Sequence, residues 1–360
     1  MERVRLGSRS YPIHIEHSYR QLPAHLHELE LPRHAWIVSH RPLLERFGDQ
    51  LLPPLERAGF ALQSIAVPES ELAKSSRIAE QVLATLARRA ATRIPLLLAF
   101  GGGVVGDLTG FVAAVFRRGI PYVQLPTTLL AQVDSSIGGK VGIDLPFAKN
   151  LIGAFYQPRL VFNHLGLLAD LPPRQRRSGL SEIIKYGIMD DAELFRYLET
   201  HLSDCLAGTA EADRLMVERC CRIKARVVSR DERETKGWRI RLNLGHTLGH
   251  ALESATGYRR FTHGEAIAIG MAFASDLAVA MGVLPESQHR RIVALFAAAG
   301  LPTQASGVSL AAVRRVLVYD KKFIAGKLRW VLPSGVGRVV VSDAVPQELA
   351  WQVMRRYVVG

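Results

Sequence analysis

Glu182, His246 and His263 are the residue types of an open metal site, because two imidazoles and one carboxylate leave coordination positions for substrate oxygens. His246 and His250 are four apart in Leu-Asn-Leu-Gly-His-Thr-Leu-Gly-His and project from one face of a helix. His263 precedes a helix that begins at Gly264-Glu265, and Glu182 stands three residues before Lys185 on another helix. The H-E-x-x-H pattern of a metalloprotease does not occur. The competing reading gives each histidine a purely structural place.

A second group is Gly101-Gly102-Gly103-Val104-Val105-Gly106-Asp107, which follows an apolar strand and opens a helix. Glycines let a diphosphate approach the backbone, and the helix N-terminus supplies N–H donors. The position, a hundred residues into the chain, and the absence of an acid over Tyr122 to Thr128 depart from an ordinary Rossmann fingerprint. The segment is a diphosphate site in another nucleotide-binding topology, or only a tight turn. A third group runs Val133-Asp134-Ser135-Ser136-Ile137-Gly138-Gly139-Lys140 and on to Lys149-Asn150. Small residues between an acid and two lysines suit a loop that grips an anion such as phosphate.

The elements that must position these groups fall into two halves. Trp36-Ile37-Val38, Ser64 to Val67, Pro95 to Phe100 and Tyr122 to Leu125 read as strands, with helices over Arg77 to Arg89 and Asp107 to Phe116. That alternation predicts a mainly parallel sheet with helices on its faces. Beyond about residue 160, Glu182 to Thr200, Glu211 to Arg230, Asn243 to Thr256, Gly264 to Met281 and Gln288 to Ala299 all read as helices. The expected plan is an α/β domain over 1–158 and a mostly α-helical domain over 159–360, with a boundary near Tyr156-Gln157-Pro158 and a cleft between them as the default site.

At 360 residues the chain is long for one core, and 48% hydrophobic with 22% charged residues is a globular composition. The most apolar stretch, Ala266 to Leu284, is broken by Asp276 and reads as a buried helix, so no membrane span is expected. The start, MERVRLGSRSYPIHIE, lacks the apolar run of a signal peptide, and a cytoplasmic protein is expected. Cys205, Cys220 and Cys221 are too few for a disulfide framework. The net charge of +13 is carried by scattered arginine pairs with no basic run interleaved with aromatics, so no nucleic-acid partner is expected. Only nine of the 46 basic residues are lysines, which concentrates lysine at places that need a compact ammonium.

On four segments the chain resembles the 3-dehydroquinate synthases, the shikimate-pathway members of the sugar-phosphate cyclases. They are Gly101 to Phe111, Pro126 to Ser136, Lys149 to Pro158 and Gly245-His246-Thr247-Leu248-Gly249-His250. The resemblance runs from about residue 35 to about 340 and implies NAD, Zn²⁺ or Co²⁺, a homodimer, and a phosphorylated sugar acid, 3-deoxy-D-arabino-heptulosonate 7-phosphate, as substrate. It implies that Glu182, His246 and His263 hold the metal. Asp134, Lys140, Asn150, Lys185, Lys224, Arg239, Asn243, His250 and Lys322 would line the substrate pocket, with Arg118 reaching the phosphate. Gly102, Gly103, Val104, Gly106, Asp107, Thr127, Thr128, Lys140 and Lys149 would serve NAD, with Glu71 and Lys74 toward its adenosine half.

The chain departs from the family pattern at several points. His40 follows the first strand where an acid for the adenine-side ribose is usual, and the segment Glu234 to Arg239 is one residue longer. Leu145 and Ala148 stand where His and Gly are common. The implied reaction oxidises a ring hydroxyl with NAD, eliminates phosphate beside the new ketone, returns the hydride and closes the ring by an aldol step, with NAD regenerated. Relatives acting on glucose 6-phosphate tend to carry an acid at the position of Asn243, and a valiolone-type relative would lack His250. The alternatives are another sugar-phosphate cyclase, or a metal-dependent alcohol dehydrogenase of the glycerol-dehydrogenase type, which would release NADH.

Overall fold

A computed structural model describes residues 1–90, 93–145, 148–319, 323–324 and 327–360, with the side chains of 148–150, 318–319, 323–324 and 327–328 left out of account. Lys322 lies outside the described residues, and so do the side chains of Lys149 and Asn150. The chain divides into two compact units, 1–171 with 213–232, and 172–212 with 233–360.

The first unit is built on nine strands: β1 (Glu2–Val4), β2 (Tyr11–Glu16), β3 (His34–His40), β4 (Ala61–Val67), β5 (Leu96–Gly101), β6 (Tyr122–Pro126), β7 (Lys140–Leu145), β8 (Ala148–Phe155) and β9 (Leu160–His164). Seven of them form one sheet in the order β1-β2-β9-β6-β5-β3-β4, parallel except for β1 against β2. Its helices are α1 (Leu22–Glu28), α2 (Arg41–Arg57), α3 (Ser76–Arg89) and α4 (Gly103–Val115). The inner strands β5, β6 and β9 are buried along their whole length because both faces of the sheet are covered there, whereas the edge strand β4 is largely exposed. Successive residues of β3 and β5 enter opposite cores, Trp36, Val38, Leu97 and Ala99 on one face, and Ala35, Ile37, Leu96, Leu98 and Phe100 on the other. The chain leaves β3 toward β4 and leaves β5 toward β6, so the order reverses between β3 and β5, the crevice where α/β sheets bind ligands.

Two features of this unit differ from the sequence reading. Where the sequence places a boundary at 158, β9 continues the sheet beside β6 and β2, and 213–232 returns to the same unit. Its burial explains the difference: all five residues of β9 are buried, so the strand completes the sheet instead of leading out of it. The expected anion-gripping loop is a short π-helical turn, Ala131–Ser135, followed by the antiparallel hairpin β7–β8. Its glycines Gly142 and Gly153 face each other in that pairing and let the two strands approach closely.

The second unit is mainly helical: α5 (Pro173–Met189), α6 (Ala192–Thr200), α7 (Leu202–Ala207), the start of α8 (Ala210–Arg230), α9 (His246–Ala255), α10 (His263–Ala280), α11 (Glu286–Ala298), α12 (Leu310–Tyr319) and α13 (Gln347–Met354). The single helix read over Glu182 to Thr200 is two, because Asp191 breaks from helical geometry and its carboxylate accepts from Leu194 N to cap α6. No helix among the described residues is long and apolar enough to cross a membrane. The three cysteines are buried thiols that form no disulfide.

Candidate dinucleotide turn and metal centre

In the first unit, β5 and β6 end side by side, with Gly101 opposite Pro126, and Thr127 N donates to Gly101 O at 3.0 Å. Gly102 and Gly103 therefore follow one strand while Thr127 and Thr128 follow its neighbour. Gly102 is the N-cap of α4 and no side chain caps the helix, so the amides of its first turn, from Gly103 and Val104 onward, have no capping side chain at the positive dipole end. A Cβ on Gly103 would come within 2.9 Å of Ser135 Oγ, and one on Gly106 within 2.7 Å of Gln124 Oε1. The first glycine keeps the turn open and the second lets α4 lie against β6. Such a cradle suits a diphosphate.

Lys74 and Asp107 meet beneath this turn: Lys74 Nζ donates to Asp107 Oδ2 at 2.8 Å and lies 3.9 Å from Asp144 Oδ1. Burial works against the ammonium, but Asp107 and Asp144 outweigh it and hold its pKa above the ordinary lysine value. Glu71 opens the short turn before it and is exposed. Thr128 Oγ1 accepts from Ala131 N at 3.2 Å. Asp134 lies in the π-helical turn, where Lys224 of α8 bonds both its carboxylate and its carbonyl oxygen at 2.8 Å. Lys140 opens β7 and is exposed, and Leu145 pairs with Ala148 across the hairpin. Arg118 is exposed in a turn where both it and Arg117 hold left-handed backbone, at φ 63° and 49°. His40 ends β3 half-buried, its Nδ1–H donating to Val67 O at 3.3 Å, which leaves Nε2 as an acceptor.

In the second unit Glu182 (α5), His246 (α9) and His263 (α10) bring their donor atoms within 4.8 Å of one another. Glu182 Oε1 is 3.6 Å from His246 Nε2 and 3.4 Å from His263 Nε2. Lys185, also on α5 and fully buried, pairs its ammonium with Glu182 Oε2. The glycines of the histidine motif make this convergence possible. Gly245 is left-handed at φ 79°, and a Cβ on Gly270 of α10 would strike Gly245 O at 1.9 Å, so α9 and α10 meet backbone to backbone.

Both imidazoles are held in orientation through Nδ1. His246 Nδ1–H donates to Leu244 O at 3.1 Å and His263 Nδ1–H to Glu253 Oε2 at 3.4 Å, so Nε2 is the ring nitrogen that each turns toward Glu182. One carboxylate and two oriented imidazoles fit a divalent transition metal with positions left open. Burial disfavours a charged His263, yet its hydrogen bonds to Glu182 and Glu253 prevail and push its pKa up to about 10, so an imidazolium faces Glu182 when no cation does. His250 is exposed one helical turn beyond His246. Arg239 is buried in the short helix Arg239–Asn243, and Asn243 Nδ2 donates to Glu234 Oε1 at 2.9 Å. The lengthened loop is taken up by two left-handed residues, Glu234 at φ 57° and Gly237 at φ 76°. The sequence reading passes over Glu234 and Glu253. An acid within the apolar run Ala251-Leu252-Glu253, seven residues after His246, was the available signal for the latter.

A parallel sheet with a glycine cradle at its reversal point, and a helical unit presenting one carboxylate and two imidazoles, define a dinucleotide- and metal-using enzyme. The N-terminal 3-dehydroquinate synthase family model matches residues 64–178 and the C-terminal one residues 179–323. A curated relative from Picosynechococcus sp., named 3-dehydroquinate synthase, is 44% identical over 98% of this chain and 97% of its own. The chain belongs to the 3-dehydroquinate synthase family. Among solved structures it is similar to ValA, the 2-epi-5-epi-valiolone synthase of Streptomyces hygroscopicus subsp. jinggangensis 5008 with NAD⁺ and Zn²⁺ bound, at TM-score 0.89 and 28% identity over 98% of both chains. It is also similar to a 2-deoxy-scyllo-inosose synthase complexed with carbaglucose-6-phosphate, NAD⁺ and Co²⁺, at TM-score 0.87 and 25% identity over 99% of both.

Proposed function

We propose that the chain converts 3-deoxy-D-arabino-heptulosonate 7-phosphate to 3-dehydroquinate and phosphate, as a phosphorus–oxygen lyase that uses NAD and Zn²⁺ or Co²⁺. The observation that carries the reading is the convergence of Glu182, His246 and His263 beside Lys185, in a chain 44% identical to a named 3-dehydroquinate synthase over nearly its whole length. When bound, NAD supplies a reversible hydride acceptor and the divalent ion a Lewis acid.

The chain's own residues do the rest by positioning and charge. Glu182, His246 and His263 hold the ion. Gly102, Gly103, Val104, Gly106, Asp107, Thr127 and Thr128 form the dinucleotide cradle, with Lys74 bracing it. Lys185 sets a buried positive charge beside the metal ligand, where an oxygen of the substrate gains negative charge. Arg118, Lys140, Asn150, Lys224 and Lys322 serve the phosphate and ring hydroxyls, with Asp134 orienting Lys224, and Lys140 and Lys149 serve NAD. Arg239 takes the carboxylate, Asn243 a hydroxyl, and His250 exchanges a proton with the substrate. We also propose a homodimer of cytoplasmic location, with the phosphorylated sugar acid as a small-molecule partner.

The test is phosphate release from the heptulosonate phosphate, with and without NAD and a chelator. Release that needs both NAD and metal, with no growth of NADH absorbance, supports the reading. Stoichiometric NADH would show a dehydrogenase instead.

A further inference from the structure

His263 stands between two carboxylates: Glu182 Oε1 is 3.4 Å from its Nε2 and Glu253 Oε2 is 3.4 Å from its Nδ1. Glu253 lies on α9, seven residues beyond His246, and is 6% exposed, an expensive place for a carboxylate without a donor. We infer that Glu253 is a positioning residue for the metal centre. It accepts the Nδ1–H of His263, turns Nε2 toward Glu182 and His246, and makes that nitrogen a better donor to a bound metal.

The surrounding structure leaves this task to Glu253. The main chain at His263 is already held by the capping box of α10, in which Thr262 Oγ1 accepts from Glu265 N at 3.3 Å and Glu265 Oε2 accepts from Thr262 N at 2.8 Å. Arg174 grips Glu265 through two bonds of 2.8 Å and keeps that acid occupied. What the capping box does not fix is the rotation of the imidazole ring. His246 is oriented by a backbone carbonyl, which no substitution removes. Glu253 is therefore the acid through which the donor strength of His263 can change while all three ligands stay in place, as Lys185 is the cation that bears on Glu182. The inference rests on the reading that Glu182, His246 and His263 hold a divalent metal.

A second arrangement must be told apart from this one. His250, Glu253 and His263 also bring donor atoms within 4.8 Å of one another, so a second cation could bridge to His263 Nδ1. The experiment is zinc titration of the full chain against a chromophoric chelator, for the wild type, Glu253→Gln and Glu253→Ala, with circular dichroism and NAD affinity as checks on folding. Metal affinity is expected to fall in the order wild type, Gln, Ala, with Ala weaker by roughly 10–100-fold and one zinc per chain throughout. Cobalt-loaded protein should show shifted visible absorption bands in Glu253→Gln, because the ligand field at His263 changes. The inference is overturned by unchanged affinity and spectra in both variants. It is equally overturned by a second zinc equivalent that disappears in Glu253→Ala and His250→Ala. If Glu182→Gln and His246→Ala themselves keep full metal, the underlying site reading has failed instead.

Discussion

Lys74 Nζ and Asp107 Oδ2 lie 2.8 Å apart, which ties the turn before α3 to the first turns of α4 directly behind the glycine cradle. Asp144, on the hairpin strand β7, is the second acid near the same ammonium. A single buried cation thus fixes three segments whose mutual placement decides whether a diphosphate fits.

Lys74→Met should therefore act on stability and on NAD together. It leaves Asp107 and Asp144 facing each other with their neutralising charge removed, a loss of up to about 3 kcal/mol. Urea unfolding and NAD titration should both shift. A variant that loses NAD affinity at unchanged stability would make Lys74 a direct contact and not a strut.

The metal centre gives a second expectation. Glu182→Gln, His246→Ala and His263→Ala should each lower bound zinc and phosphate release sharply, since each removes one of three protein ligands. Metal analysis of the purified variants decides the matter. Stoichiometric zinc in all three would refute the ligand assignment.

Much of this site is legible in the sequence because glycine and histidine mark it. The four-residue spacing of His246 and His250 reads as one helix face, and the glycine run after an apolar strand reads as a diphosphate site or a tight turn. Other parts depend on partners far away in the chain. Asp191 carries no mark that sets it apart from any helical acid until it caps Leu194 N. The segment from Val133 through Lys149-Asn150 sets small residues and glycines between an acid and two lysines and so reads as loop, while the pairing of β7 with β8 depends on cross-strand register. Glu253 is an ordinary helical glutamate until a loop returns His263 to it.

His164 gives the pH dependence. It is 3% exposed at the end of β9, its Nδ1 accepts from Gly166 N at 3.0 Å, and its Nε2–H donates to Gln50 at 3.2 Å, an arrangement open only to the neutral ring. Burial, with His17 nearby, lowers its pKa to about 4 from 6.5. The unfolded chain then binds the extra proton, so this residue's contribution to stability is present above about pH 6.5, shrinks as pH drops toward 4 and levels off below that. Between pH 7 and pH 5 this residue should cost about 2 kcal/mol. His164→Gln should flatten the difference in urea midpoint between those two pH values. An equally steep profile in the variant would assign the acid sensitivity to other groups.

The last expectation concerns which sugar phosphate is cyclised. The heptulosonate carries a carboxylate, while glucose 6-phosphate and sedoheptulose 7-phosphate present neutral groups there. Arg239 is a buried guanidinium that can meet a carboxylate with two parallel donors. Four residues on, the Asn243 amide is held by Glu234, which directs its carbonyl oxygen away as an acceptor for a hydroxyl. Losing a buried charge-assisted pair costs roughly 2–5 kcal/mol, equivalent to about 30-fold to several thousand-fold in affinity. Arg239→Ala should therefore impair use of the heptulosonate phosphate by at least that lower factor in kcat/KM. Arg239→Lys should recover little, because a lysine cannot form the two-pronged pair. Wild-type protein should leave both neutral sugars untouched. Efficient turnover of either one would overturn the substrate assignment and leave the cyclase chemistry standing.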